Sequence, residues 1–161
     1  MQATTPTHTP ATRWGALGAA TLAVALFAGC ALAETQVAQD IKVALTGMQE
    51  APPVATQARG TGTFVIGADR TISGSVDTTG ITATMAHIHT GAVGKSGPVI
   101  LPLQQKADNQ WVVPAGAKLT EGQYSSFKAG QLYVNVHSAA HPDGEIRAQL
   151  LPQEPTRASL Y

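Results

Sequence analysis

Leu132-Tyr133-Val134-Asn135-Val136-His137 decides the fold class. Its apolar and polar residues alternate with a period of two. Leu132, Val134 and Val136 therefore share one face of a strand, and Tyr133, Asn135 and His137 share the other. The same period recurs along the chain. Ile41 to Thr46 groups Ile41, Val43 and Leu45; Thr71 to Val76 groups Ile72, Gly74 and Val76; Glu145 to Leu150 groups Ile146, Ala148 and Leu150. Gly60 to Ile66, Ile81 to His89 and the short Trp111-Val112-Val113 read as further strands, and Gly67-Ala68-Asp69-Arg70 reads as a hairpin turn. Pro98 to Leu103 is apolar, but its two prolines suit an edge strand or a strand end. Seven to nine short strands punctuated by turns predict an all-β fold, an antiparallel sandwich of Greek-key type. One segment departs from this pattern. Thr120 and Gln123 have the spacing of a capping box, so residues 124–129 read as one or two helical turns stopped by Gly130, with Tyr124 and Phe127 facing the core.

Residues 1–13 are polar and carry Arg13 but no acid, Trp14 to Ala28 are apolar, and Ala31-Leu32-Ala33 offers small residues at a cleavage position. That order reads as a secretory leader removed after Ala33, which makes the protein periplasmic or extracellular. The apolar run is shorter than the ~20 residues of a membrane span. The alternative is a lipid anchor at Cys30, with Leu26-Phe27-Ala28-Gly29-Cys30 as the lipobox, although Phe27 stands where leucine is usual. The expected organisation is a leader over 1–33, a linker over 34–39, one domain over 40–151 and a flexible tail over 152–161.

Composition narrows the function. Ten Lys and Arg balance ten Asp and Glu, and no basic run is present, so a nucleic-acid partner is excluded. The single cysteine lies in the leader. The domain therefore has neither a disulfide nor a thiolate zinc site. Gly91, Gly94 and Gly97 form a loop of turns; Gly94-Lys95-Ser96 lacks P-loop spacing. Ser138 beside His137 is not a hydrolase pair, because adjacent residues on a strand face apart and no G-x-S-x-G elbow exists.

The histidines are distributed unevenly. Of five, His8 leaves with the leader, and the others form two pairs, His87 with His89 and His137 with His141. His87 and His89 close a strand and share a face, with Met85 on it as well. Two imidazoles ~6–7 Å apart along a strand converge on one ion at ~2 Å per bond if their rings lean together. His137 ends its strand, and Pro142-Asp143-Gly144 places His141 on a loop rather than a helix. The four histidines are candidate metal ligands, with Met85 a further one; an imidazole-only set suits copper, and zinc less so. The alternative is that the pairs hydrogen-bond backbone at loop bases and fix strand-end geometry. Asp143, Glu145 and Arg147 read as an ion-pair cluster near the turn, with a supporting role behind a ligand histidine as the other reading. Glu50-Ala51-Pro52-Pro53-Val54 reads as an extended, fold-defining stretch.

Three stretches together resemble the chordin-type (CHRD) domain. They are Leu45 to Val54; Ala86-His87-Ile88-His89-Thr90-Gly91 with Gly97-Pro98-Val99; and Leu132 to Ser138 with Pro142-Asp143-Gly144-Glu145-Ile146-Arg147. The resemblance spans about residues 40–151. It implies an extracytoplasmic β-fold and no established enzymatic activity. His87, His89 and His137 also resemble the copper-ligand pattern of copper/zinc superoxide dismutases, which implies a similar sandwich. That family's cysteine pair and zinc-loop ligands are missing, and Arg147 lies too near the last histidine for its electrostatic-loop arginine. A copper-binding module is the favoured expectation; a copper-dependent redox enzyme and a metal-free structural or adhesive envelope module are the alternatives.

Overall fold

Alternation becomes a sheet in which every strand pairs antiparallel with its neighbours. The computed structural model describes residues 38–153. The leader with Cys30, and residues 154–161 of the tail, lie outside the described residues. Nine strands are formed: β1 (Gln39–Thr46), β2 (Arg59–Ile66), β3 (Ile72–Thr79), β4 (Ala83–Thr90), β5 (Val99–Pro102), β6 (Gln104–Ala107), β7 (Gln110–Val112), β8 (Leu132–Ser138) and β9 (Ile146–Leu150). β1 begins one residue inside the segment read as a linker. Among the described residues no helix is long and apolar enough to cross a membrane.

The architecture is the expected all-β, sandwich-like one, with a refinement. Hydrogen bonding is continuous through the order β5-β4-β8-β9-β1-β2-β3-β7-β6. The two halves meet at one narrow seam, the single pair Thr46↔Arg147 between β1 and β9. The two ends of the order, β5 and β6, are separated in sequence by Leu103 alone, and the Leu103 amide donates to the Ala86 carbonyl on β4. The chain thus passes directly from one end of the sheet to the other, and the sheet is curled nearly closed. One core fills it. Ile41, Leu45, Phe64 and Val76 from one half cluster with Ile88, Val134, Val136 and Ile146 from the other.

Local chemistry sets the connections. In the β2–β3 turn Asp69 Oδ1 accepts from the Thr71 amide and hydroxyl at 3.1 and 2.7 Å. Helix α1 (Glu121–Lys128) begins one turn earlier than its apolar residues suggest, because the capping box is formed. Thr120 Oγ1 accepts from the Gln123 amide at 3.2 Å, and Gln123 Oε1 accepts from the Thr120 amide at 2.8 Å. A cap of this kind contributes about 1 kcal/mol. It leaves Phe127 buried in the core with Tyr124 packed against it.

β8 differs from a half-exposed strand. All seven of its residues are buried. Leu132, Val134 and Val136 face the apolar core as expected. Tyr133, Asn135 and His137 face away from it: the Gly97 amide donates to the Tyr133 hydroxyl at 3.2 Å, Gly144 lies against Asn135, and His137 Nδ1 meets the Pro142 carbonyl.

Candidate metal centre

The register carries the histidines together. β4 and β8 pair so that Met85 stands opposite His137, His87 opposite Asn135 and His89 opposite Tyr133. His87, His89 and His137 consequently share one face, and one nitrogen from each lies within 4.8 Å of the others. Among the described residues this trio is the group of three or more His, Cys, Asp or Glu side chains so gathered. His87 Nδ1 is 2.9 Å from His137 Nε2. The His87 ring centroid stands 5.6 Å from that of His89 and 4.8 Å from that of His137.

The other nitrogens are tied to backbone. His89 Nδ1 is 2.9 Å from the Gly97 carbonyl, and His137 Nδ1 is 2.9 Å from the Pro142 carbonyl. A carbonyl only accepts, so both Nδ1 atoms carry the proton, and each Nε2 presents a lone pair to the centre. His89 Nε2 is buried and has no hydrogen-bond partner. The gathered nitrogens are therefore His87 Nδ1, which donates to His137 Nε2, and the Nε2 atoms of His89 and His137. The rings fix loop bases, as one of the two readings expected, and by doing so they orient their remaining nitrogens. Gly97 is required for this. A Cβ there would collide with the Thr90 carbonyl oxygen, pushing away the loop whose carbonyl orients His89.

His141 is not in the trio. It is half-buried on the turn after β8, where its amide donates to the Ser138 carbonyl at 3.2 Å. It lines a separate cavity of about 260 Å³ with Glu50, Pro142 and Asp143. The H-x3-H spacing spans a turn, and that turn delivers the Pro142 carbonyl to His137 rather than the His141 ring to the trio.

The Asp143, Glu145 and Arg147 cluster also resolves differently from an ion pair. Glu145 Oε1 accepts from the Thr56 hydroxyl at 2.6 Å. Arg147 is 1% exposed; its Nη2 donates to the Ala92 carbonyl at 3.1 Å, and its guanidinium carbon lies 3.4 Å from the Tyr133 ring centroid. Tyr133 is in turn stacked on His89, 4.7 Å between centroids and 10° between planes. Arg147 therefore reaches the His89 ring through Tyr133. Arg147 and Glu50 also line a cleft of about 540 Å³. Sequence reasoning singled out neither Tyr133 nor Asn135 as part of the site, although the period of two placed both on the face of His137.

Burial pushes all three imidazole pKa values down, and His137 and His89 add positive-charge repulsion at His87. The rings are thereby held neutral, the state that ligates a metal. Burial drives Glu50 the other way, from 4.5 to about 7, against the pull of Arg147. These shifts set a pH dependence. Near pH 6 the unfolded chain binds more protons at the three histidines than the folded one, so their contribution to stability is complete above the ordinary 6.5 and is lost as pH falls below it. Glu50 opposes them: its contribution is present below 4.5 and is lost as pH rises through about 7. Glu50→Gln removes the opposing group, so the metal-free variant is expected to lose melting temperature between pH 7.5 and pH 5.5 more steeply than the metal-free parent. Calorimetry across this range checks it; a flat profile in both proteins would contradict the assignment.

The fold and the trio define a nearly closed β-domain with three imidazoles gathered on the polar face of its sheet. The family model for the CHRD domain matches residues 41–150, and the chain belongs to that family. No curated protein and no solved structure matches it.

Proposed function

We propose that this CHRD domain is an exported copper-binding module that holds the ion on His87 Nδ1, His89 Nε2 and His137 Nε2. The observation that carries the reading is the convergence of three neutral imidazoles, two of them locked by backbone carbonyls into the tautomer that ligates. Such outer partners recur behind metal-bound histidines because they fix ring orientation and basicity. Copper is favoured because the donor set is all imidazole, without thiolate or carboxylate. In the metal-free protein His87 Nδ1 donates to His137 Nε2, so His87 would ligate through Nδ1 only with its proton moved to Nε2, the ring staying neutral. Export is supported by the leader-like order of residues 1–33, with cleavage after Ala33 or lipidation at Cys30.

Titration of the full chain with Cu(II), followed by elemental analysis and thermal melting, tests the reading. One equivalent is expected to bind and to raise the melting temperature, and a chelator is expected to reverse the shift. Free metal at a hundredfold above Kd stabilises by about 2.7 kcal/mol. Zinc is expected to stabilise less. A melting temperature indifferent to copper and to chelator would instead establish a metal-free structural module. The mass of the exported protein separates a chain beginning at Glu34 from one beginning at a lipidated Cys30.

A further inference from the structure

We infer that Met85 adds a thioether to the three imidazoles when the centre holds monovalent copper, so that the site takes up Cu(I) from its solvent side. This rests on the copper reading above and assigns an oxidation state and a point of entry to the same centre. Met85 lies two residues before His87 on β4 and directly opposite His137 on β8. Residues two apart on a strand share a face, and directly opposed residues have Cβ atoms about 4.5–5.5 Å apart. Met85 therefore continues the row of His87 and His89 and adjoins His137.

It differs from that row in exposure. His89 and His137 are buried and His87 is half-buried, whereas Met85 is 45% exposed. The β4–β8 register shifts between Ala83 and Met85. Irregularities of this kind re-aim a side chain and gather next to functional sites. A large apolar side chain at the open rim of a polar face gains little from burial there. A thioether, however, is a soft ligand on a flexible, unbranched stem. It selects Cu(I), while imidazole serves either oxidation state. No electron transfer is involved: copper arrives and is held as Cu(I).

Sulfur is scarce enough to make the test clean. The domain's methionines are Met48 and Met85, and the chain's one cysteine is Cys30. The full chain carrying Cys30→Ser serves as parent. Cu(I) affinity is measured anaerobically against bicinchoninate, and Cu(II) affinity against a chromophoric Cu(II) chelator, in the parent, Met85→Leu, Met48→Leu and His87→Ala. Met85→Leu is expected to weaken Cu(I) by about tenfold or more, no less than an outer-shell partner does, and to leave Cu(II) affinity unchanged. X-ray absorption of the Cu(I)-loaded parent is expected to show a sulfur neighbour that Met85→Leu lacks and Met48→Leu keeps. Unchanged Cu(I) affinity in Met85→Leu, with no sulfur neighbour in the parent, overturns the inference; loss of both affinities in His87→Ala would then leave the trio standing. A parent that binds neither ion fails at the copper reading, and the inference falls with it.

Discussion

His137→Ala is expected to lower Cu(II) affinity by at least about a hundredfold, because even the groups behind a ligand are worth 10–100-fold. His137 is the sole contribution of β8 to the trio, and its Nε2 is the donor nearest to His87 Nδ1, at 2.9 Å. Without it the remaining pair lies on one strand, with nothing to close the third side. His141→Ala is the matching control and is expected to leave affinity unchanged, since that ring lies outside the trio. The cost to the metal-free fold is separate. The Pro142 carbonyl loses its donor, and because Pro142 is exposed water takes its place, so the loss is that of an ordinary hydrogen bond, about 0.5–1.5 kcal/mol. Circular dichroism should therefore show both variants folded at 25 °C. Equal losses of affinity in the two variants would mean that His141 is a ligand and that the trio is misassigned.

The largest effect on stability is expected from Arg147→Ala, at about 2–5 kcal/mol, the range for truncating a large buried side chain. Arg147 is among the largest fully buried side chains. Truncation removes its contact with Tyr133, releases the Ala92 carbonyl and deprives Glu50 of the one positive charge that pulls its pKa down. The stacked Tyr133 then loses support on the side away from His89. Arg147→Met separates the contributions, because methionine keeps most of the stem volume and discards only the charge. Its loss should be smaller than that of Arg147→Ala, and smaller again at pH 5, where Glu50 is protonated and needs no counter-charge. Urea unfolding of both variants at pH 5 and pH 7 measures this. A change below about 1 kcal/mol in Arg147→Ala, the range of an ordinary surface substitution, would show that the guanidinium contributes little net stability.

Much of the fold was legible because a period of two survives in the chain. The strands around Ile41, Ile72, Leu132 and Ile146 have apolar residues at alternate positions, and each formed where that pattern placed it. β6 was missed for the same reason in reverse: Gln104-Gln105-Lys106-Ala107 is exposed throughout and carries no apolar face to betray it. Alternation says which residues share a face, not whether something covers that face. Tyr133, Asn135 and Arg147 read as the outward side of a sheet, and their burial depends on loops distant in sequence, as with Arg147 and the Ala92 carbonyl. The trio itself followed from H-x-H on one strand and a histidine ending another. Proximity in sequence made His141 look like a fourth member, but a turn containing proline presents its backbone rather than its ring to what came before it.

The two strands that end the sheet have one further consequence. β5 has four residues, with Pro98 just before it and Pro102 at its end, and β6 has four residues, polar or small and including Lys106. Short length, proline and a charged side chain each discourage a foreign strand from adding to an exposed edge. A protein with nine strands among its described residues and no cysteine in its domain would otherwise offer open sheet edges to other copies of itself. Its resistance to forming fibrils should therefore reside in these eight residues, and lengthening either end strand with alternating valines should be enough to remove it.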